Sequence, residues 1–460
     1  MQRVLGSWIR LRRDGDQVVV IDVEEGVVEY IDPMRAIALS LYQKPTTDAE
    51  VASQLCFLTD LPAEETLSFL STLTSDNKGV LVSPLDQRLS WFKRLPIDPT
   101  SFVFQPVTPH IPVRLANPAS FVYVTTFRCA FNCKYCYAER RIGGHIELDL
   151  PQIDKIAQDC AESGCVGMQL SGGDPFARKD IIEVIDAFLC RGIHVQTSTK
   201  SILGRRVLER LSEIGLRQIQ FSVDSLDGQY SQYMLGFQDH GKAIRDQVEL
   251  ASSLGIRVKT VTVLTPYNIG HLPELGEAMI SAGTGKVIFT SYGRSLYRHS
   301  DELFISPEER RRAEHIVKGL QDKHPDAEVR LNARADHTEL SDIEREKAFV
   351  SRARCTAGRE SLVIYPNADV GFCESIPLDF FRIGNLAEQS LISLWQSDTM
   401  MELVQPPREK YLGTACFDCA TFDECTRRGR CLRDSIKATG TAWAPDPRCH
   451  NVRQKRTRLT

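Results

Sequence analysis

Three cysteines in the first half of the chain stand close enough together to hold one metal centre. They lie in the segment CAFNCKYC as Cys129, Cys133 and Cys136, with the spacing C-x3-C-x2-C. Three thiolates in so short a loop suit a [4Fe–4S] cluster that leaves one iron without a protein ligand. A structural zinc ion is the alternative, although zinc normally completes its tetrahedron with a fourth Cys or His. The loop is therefore a candidate metal centre.

The last quarter of the chain contains a second group of cysteines. This region shows little apolar periodicity, as expected of a fold that is held by metal rather than by an apolar core. From spacing alone, zinc sites and iron–sulfur clusters both remain open. The seven cysteines run C-x17-C, then C-x2-C-x5-C-x5-C and one last residue, and are Cys355, Cys373, Cys416, Cys419, Cys425, Cys431 and Cys449.

The 460-residue chain has fourteen cysteines, and its composition indicates that they bind metal rather than form disulfide bonds. The first residues lack the apolar stretch of a signal peptide, and no apolar run is long enough to span a bilayer. We therefore predict a cytoplasmic protein, in which thiols stay reduced. With 56 basic and 60 acidic residues the net charge is −4, which gives no support for a chain that coats nucleic acid or a membrane.

An alternation of short strands and helices begins near residue 121 and would position the first group of cysteines. Parallel strands joined by helices imply a sheet curled into an open barrel, with the functional residues at the carboxyl ends of its strands. The predicted fold class is thus α/β, with a partial (β/α)6 barrel whose first strand runs directly into the three-cysteine loop. The predicted strands cover residues 121–127, 166–171, 193–198, 218–223, 257–263 and 286–291.

This loop and the strand ends that follow it resemble the signature of radical S-adenosylmethionine (SAM) enzymes. The motif C-x3-C-x2-C, with an aromatic residue before its last cysteine, is similar to the cluster-binding motif of that family. The sequence SGGDP at 171–175 resembles the family's GGE motif with Asp in place of Glu, and its glycines permit close backbone approach to the ligand. The resemblance implies contacts to SAM by Tyr135, Gly172, Gly173, Asp174, Ser198, Thr199, Ser222 and Asp224.

The C-terminal cysteines resemble the SPASM domain of radical SAM peptide and protein maturases. The phrase CTAGRESLVIYPNADVGFC is similar to the start of that domain, whereas five residues separate Cys425 from Cys431 where three are usual. The resemblance implies two auxiliary [4Fe–4S] clusters, one held by Cys416, Cys419, Cys425 and Cys449 and the other by Cys355, Cys373 and Cys431. Seven cysteines cannot supply four ligands twice, so one cluster has an open iron or a ligand other than cysteine. Glu374 stands where sulfatase-maturing relatives have an acidic base.

The N-terminal residues 1–95 have the layout of a small winged-helix module. Three β-rich runs, the last at Val27–Ile31, precede three helical patterns. Residues 34–75 contain two basic and five acidic residues, a net charge of −3 that argues against DNA binding. The module resembles the RiPP recognition element, which implies that it binds the leader of a ribosomally made precursor peptide by adding a strand near Val27–Ile31.

These resemblances imply a radical SAM enzyme that abstracts hydrogen from a precursor peptide and crosslinks it oxidatively, with a thioether as the expected bond. Crosslinking through C–C or C–O bonds, formylglycine-type oxidation and a non-enzymatic iron–sulfur regulator remain open. The expected cofactors are SAM, one radical SAM cluster and two auxiliary clusters, and an external donor such as flavodoxin or ferredoxin supplies electrons. The predicted domains are 1–95, a linker at 96–118, the barrel at 119–300, a helical bridge at 301–350 and the SPASM domain at 351–460.

Overall fold

The N-terminal module contains the predicted strands and helices, arranged around its own apolar core. The structure, a computed structural model of the chain, describes residues 2–76, 79–104, 113–138, 146–293, 295–297, 300–332 and 341–449. One antiparallel sheet has the order β2–β3–β4, and a second has the order β5–β1–β6. The strands are β1 Gln2–Leu5, β2 Ile9–Asp14, β3 Gln17–Asp22, β4 Val27–Ile31, β5 Thr46–Thr47 and β6 Leu81–Val82, and the helices are α1 Pro33–Ser40, α2 Asp48–Thr59 and α3 Ala63–Asp76.

The six predicted barrel strands are all present and pair in parallel in chain order. Along β11 buried residues alternate with half-buried ones, because successive side chains point to the outer helices and to the barrel interior. The strands are β7 Ser120–Val124, β8 Gly167–Ser171, β9 His194–Thr199, β10 Gln218–Ser222, β11 Arg257–Leu264 and β12 Lys286–Ser291. The helices are α4 Leu150–Glu162, α5 Ile181–Leu189, α6 Arg205–Glu213, α7 Gly228–Leu235, α8 His240–Ser253 and α9 Leu272–Ser281.

The barrel sheet continues on both sides into segments that the sequence analysis assigned to other domains. The predicted helical bridge contains a strand that pairs in parallel with β12, and the cysteine-rich region contributes a strand parallel to β7, so the main sheet has ten strands. The bridge is therefore part of the barrel wall. The additional elements are α10 Pro307–Lys323, β13 Glu328–Asn332, α11 Asp342–Val350, β14 Ser361–Ile364, β15 Asp369–Gly371, β16 Arg382–Asn385, α12 Leu391–Trp395, α13 Asp398–Val404, α14 Phe422–Arg428 and α15 Leu432–Thr439.

The N-terminal module contacts the end of the barrel opposite the three-cysteine loop. Arg12 donates hydrogen bonds to the carbonyl oxygens of Gly164 at 2.7 Å and of Asn117 at 2.8 Å. The turn between β3 and β4 adds an ion pair between Glu24 and Arg257, the first residue of β11. The module therefore lies at the amino-terminal ends of the barrel strands. No helix in the described segments is long and apolar enough to cross a membrane.

Candidate functional site

The three-cysteine loop follows β7 and is held in an apolar cluster. Cys133 is buried among Phe131, Tyr135 and Met234, and Cys129 and Cys136 lie against the same cluster. The backbone N–H of Lys134 donates to the carbonyl of Met234 at 3.1 Å, which ties the loop to α7. None of the fourteen cysteines, all of which lie in described residues, forms a disulfide bond. The thiols of the loop therefore fit the role of cluster ligands.

The glycines of the SGGDP motif bring two backbone segments together. The N–H of Gly173 donates to the carbonyl of Thr126 at 2.8 Å, and that of Asp174 donates to the carbonyl of Arg128 at 2.9 Å. A Cβ atom on Gly172 would lie 2.3 Å from the Thr126 oxygen, and one on Gly173 would lie 2.1 Å from the Arg128 oxygen. Because these glycines have no side chain, the end of β8 can pack directly against the backbone before the cysteine loop.

The buried carboxylate of Asp174 links the ends of β8 and β9. It accepts a hydrogen bond from the Thr199 hydroxyl at 2.8 Å and from the backbone N–H groups of Lys200 at 2.9 Å and Ser201 at 3.1 Å. Two residues predicted to contact SAM therefore contact each other. Their direct contact with SAM stays a prediction, and in the structure Asp174 positions the loop that follows β9.

A second buried carboxylate, Asp224 at the end of β10, is paired with Lys200. The Lys200 ammonium lies 3.0 Å from Asp224, whose carboxylate also accepts a hydrogen bond from the Tyr135 hydroxyl. Burial favours the neutral amine, yet Asp224 and the Cys133 thiol hold the pKa of Lys200 above its usual value. Sequence reasoning missed Lys200, which places a cation beside Cys133 of the cysteine loop. The only available signal was its place directly after a predicted strand end.

Two serines complete the set of predicted SAM contacts from the barrel strands. Ser198 on β9 lies opposite Gln220 on β10, and Ser222 is the last residue of β10. Both are half-buried and alternate with fully buried neighbours, which places them on the interior face of the barrel. The register places Ser222 beside the rim that carries Asp224 and Ser198 at the lower level of Gln220.

Glu374 reaches this rim from the cysteine-rich region. It follows β15, and its carboxylate accepts a hydrogen bond from the Ser171 hydroxyl at the end of β8 and from the Tyr137 hydroxyl at 3.5 Å. Burial raises the pKa of Glu374, and these two hydrogen bonds oppose the shift. A carboxylate whose pKa is raised is a stronger base, and next to the cysteine loop it is suited to accept a proton during a reaction.

The C-terminal cysteines include two groups of thiols that influence one another's pKa, and their role as cluster ligands stays a prediction. Burial raises the pKa of Cys416, Arg430 opposes this shift, and the neighbouring thiols of Cys425 and Cys419 raise the pKa further. In the second group, the thiol of Cys355 acts on the pKa of both Cys373 and Cys431, each of which is raised chiefly by burial. Membership of Cys449 in the first group stays a prediction.

The described part of the chain contains no group of three His, Cys, Asp or Glu residues close enough to hold a single metal ion. A closed zinc site would gather four ligands around one ion. A [4Fe–4S] cluster instead distributes its thiolates over several irons. Ligation of iron–sulfur clusters by the cysteines of the loop and of the C-terminal region stays a prediction.

Comparison with known proteins identifies two domains in this chain. Residues 123–279 match the family model of the radical SAM superfamily, and residues 355–420 match that of SPASM, an iron–sulfur cluster-binding domain. The first match spans the cysteine loop and every predicted SAM contact. The second includes Cys355, Cys373, Cys416 and Cys419 and ends before the remaining three cysteines. These matches confirm the prediction of SAM and [4Fe–4S] clusters as cofactors.

Relatives with known names cover most of this chain at low identity. Mycofactocin maturase MftC of Mycolicibacterium smegmatis is 24% identical over 73% of this chain and 83% of its own length. PqqA peptide cyclase of a Methylobacterium species (strain 4-46) is 25% identical over 75% of this chain and 88% of its own length.

The fold of the whole chain is also found in a solved structure. SuiB of Streptococcus suis bound to S-adenosylmethionine matches with a TM-score of 0.64 and 16% identity, over 97% of this chain and all of that one. The same protein bound to precursor peptide SuiA gives a TM-score of 0.64 and 15% identity, over 98% and 99% of the two chains. The predicted radical SAM fold with flanking domains is therefore confirmed.

Proposed function

We propose that this chain, which combines a radical SAM domain with a SPASM domain, is a peptide maturase that crosslinks a ribosomally made precursor peptide. The observation that carries the proposal is the meeting of the two domains at one rim, where Ser171 of the barrel donates a hydrogen bond to Glu374. A radical source and a proton acceptor thus face the same space. The relatives named above, a maturase and a peptide cyclase, support a peptide as the substrate.

The residues of the cysteine loop and the strand ends would hold and orient the cofactors. Cys129, Cys133 and Cys136 would ligate the first cluster. When bound, SAM and the reduced cluster supply a 5′-deoxyadenosyl radical, which is the chemistry of the cofactor rather than of the protein. The ion pair of Lys200 and Asp224, at 3.0 Å, would hold the segments after β9 and β10 together beside this centre.

We propose a thioether as the product, formed with a two-hydrogen loss from the peptide. A carbon of the peptide would lose a hydrogen atom to the deoxyadenosyl group that bound SAM supplies. A cysteine sulfur of the peptide would bond to that carbon, Glu374 would accept the proton of the thiol, and the auxiliary clusters held by the C-terminal cysteines would supply the acceptor for the remaining electron. Seven ligating cysteines leave one auxiliary position open, where the substrate thiolate would bind. Crosslinking through C–C or C–O bonds uses the same atom-abstraction step and is the second candidate.

The leader of the precursor peptide would bind to β4 of the N-terminal module. In the described part of the chain β4 pairs with β3 on one side only, and Val27 at its start is 46% exposed. An exposed strand edge binds an extended peptide through main-chain hydrogen bonds. The acidic helices behind it disfavour nucleic acid as the ligand. We place the protein in the cytoplasm, where flavodoxin or ferredoxin would act as the electron donor.

The test uses full-length protein, reconstituted anaerobically with iron and sulfide, with dithionite, SAM and the short peptide encoded beside the gene. We expect 5′-deoxyadenosine and a peptide that is lighter by two hydrogens. Iodoacetamide would not label the crosslinked cysteine of a thioether, whereas C–C or C–O crosslinking leaves that thiol reactive. An iron–sulfur regulator would give neither product, and tight binding of duplex DNA would support that alternative.

Glu374→Gln should lower the yield of crosslinked peptide per 5′-deoxyadenosine by roughly a hundredfold, the usual contribution of a general base. Because burial raises the pKa of Glu374, crosslinking in the wild type should increase with pH as this carboxyl ionises. The variant should lack that increase. Glu388→Gln, at an exposed position of the same region, is the matched control. An unchanged pH profile in Glu374→Gln would contradict the role as base.

Arg430→Met should lower the reduction potential of the auxiliary cluster bound by Cys416. The Arg430 guanidinium donates to the Cys416 sulfur at 3.1 Å, and hydrogen bonds to cluster sulfurs raise the potential. A charged hydrogen bond contributes about 1.5–3 kcal/mol, which corresponds to a decrease of roughly 65–130 mV for one electron. A redox titration followed by electron paramagnetic resonance measures it, with the exposed Arg427→Met as control. Equal potentials in the two variants would refute the assignment.

A further inference from the structure

The interior of the barrel contains a polar cavity that includes Ser198, one of the predicted SAM contacts, in its lining. Its volume is about 50 Å³, several times what one water molecule requires. Along each strand, the side chains that alternate with the lining residues, such as Ile219 and Val258, are buried under the helices. The cavity therefore belongs to the interior face of the open sheet. We call it the lumen cavity, and its lining, from β8 to β11, includes Gln169, Gln196, Ser198, Gln218, Gln220 and Lys259.

Lys259 is the one charged residue in this lining, and its ammonium group has no salt bridge or hydrogen bond within the described segments. The neighbouring cations are already neutralised. Arg257 is paired with Glu24, and Lys286 lies 3.3 Å from Glu328 and 3.8 Å from Glu25. Lys259 thus presents to the lumen a positive charge that no ion pair within the described segments neutralises.

Burial lowers the pKa of Lys259, the charge of Lys286 lowers it further, and Glu25 opposes the shift. A half-buried cation without an ion-pair partner costs free energy that a directly bound anion would recover. Gln169 and Gln220 beside it offer N–H donors and carbonyl acceptors, the two groups that a peptide backbone needs. Gln196 already donates to the Val23 carbonyl at 3.4 Å, and Gln218 accepts from Arg257 at 3.5 Å. The lumen cavity therefore combines a site for one negative charge with a neutral, amide-lined surround.

The register of the sheet fixes how far Lys259 lies from the reacting end of the barrel. It stands opposite Gln220 on β10, and Val263, four residues further along β11, donates its N–H to Asp224 at 2.9 Å. Four residues of a strand span about 13 Å. An extended peptide in the lumen has a similar rise per residue. A peptide group bound to Lys259 would therefore lie about four residues from the peptide carbon at the upper rim.

We propose that the lumen cavity binds a carboxylate of the peptide substrate through Lys259, with the glutamines contacting the adjoining peptide groups. This inference rests on the proposed function and specifies its substrate: a peptide with a carboxylate about four residues from the modified residue. The carboxylate is either an Asp or Glu side chain or the free C-terminus.

Binding of three synthetic peptides to the reconstituted full-length protein with SAM tests this. The peptides are 11-residue sequences of alanine and serine. The first is capped at both ends and has a central Glu, the second is identical with Gln, and the third has Gln and a free C-terminal carboxylate. By isothermal titration calorimetry we expect one of the two carboxylate peptides to bind at least about tenfold more tightly than the neutral one, as a charge-assisted hydrogen bond provides. The preferred peptide identifies the source of the carboxylate.

Variants of the lysine provide the second arm. Lys259→Met should abolish the preference, Lys259→Arg should retain most of it, and Lys242→Met, an exposed lysine on α8, should retain it fully. Thermal unfolding shows whether each variant is folded. The comparison of the three peptides on the wild-type protein does not depend on any variant. Equal binding of the three peptides, absence of binding by all three, or a preference that survives Lys259→Met would overturn the inference. The proposed function fails separately, if the reconstituted protein makes no 5′-deoxyadenosine and leaves the precursor peptide unchanged.

Discussion

Cys129→Ala is expected to reduce the formation of 5′-deoxyadenosine to the level seen without enzyme. The cysteine loop supplies three thiols, and a cluster that must keep one iron open for SAM has no spare protein ligand. Removal of one thiol leaves two ligands, which do not hold the cluster in place. The amount of 5′-deoxyadenosine after anaerobic incubation with dithionite and SAM is measured by liquid chromatography, and bound iron is measured in the same samples.

The matched control for this prediction is Cys190→Ala. Cys190 is an exposed thiol just after α5, away from both cysteine-rich regions. The control should retain the wild-type iron content and the wild-type yield of 5′-deoxyadenosine. SAM cleavage that persists in Cys129→Ala would refute the assignment of the loop as the radical centre. Loss of cleavage in Cys190→Ala as well would show that the assay reports general damage to thiols.

The order of strands along the chain could be predicted from the sequence, because each barrel strand is a local pattern. The extension of the sheet by β14 could not, since it pairs with β7, which lies more than two hundred residues earlier. The same limit applies to the site. The motif identified Asp224, whereas its partner Lys200 is 24 residues away on a neighbouring strand end. Such contacts depend on how strands are placed beside one another, which residue spacing alone does not specify.

The SGGDP motif shows how a correct motif can carry a different physical role from the one expected. Its glycines were predicted to permit close approach of the backbone to SAM. In the structure the atoms that a Cβ would meet belong to the backbone of residues 126–128, immediately before the first cysteine. The requirement for glycine is thus explained by the docking of β8 onto the cysteine loop. Contact between this segment and SAM remains a prediction that rests on the resemblance.

Gly173→Ala is therefore expected to destabilise the protein and displace the cysteine loop. The added Cβ would lie 2.1 Å from the carbonyl oxygen of Arg128 and 2.8 Å from that of Phe127, both of which belong to backbone rather than to adaptable side chains. Separation of the two segments would break the hydrogen bonds from Gly173 to Thr126 and from Asp174 to Arg128. We expect a loss of about 3 kcal/mol, at the upper end of the usual cost of overpacking.

Thermal unfolding followed by circular dichroism measures the loss of stability, and iron content after reconstitution measures the effect on the cysteine loop. Gly285→Ala is the control, because a Cβ at Gly285, just before β12, meets no atom within 4 Å. A change at such an open position is expected to stay within about 0.5 kcal/mol. If Gly173→Ala unfolds at the wild-type temperature and binds the wild-type amount of iron, the glycine is not needed for docking. A direct role in binding SAM would then be the better explanation for the motif, since that role does not require the backbone contact seen here.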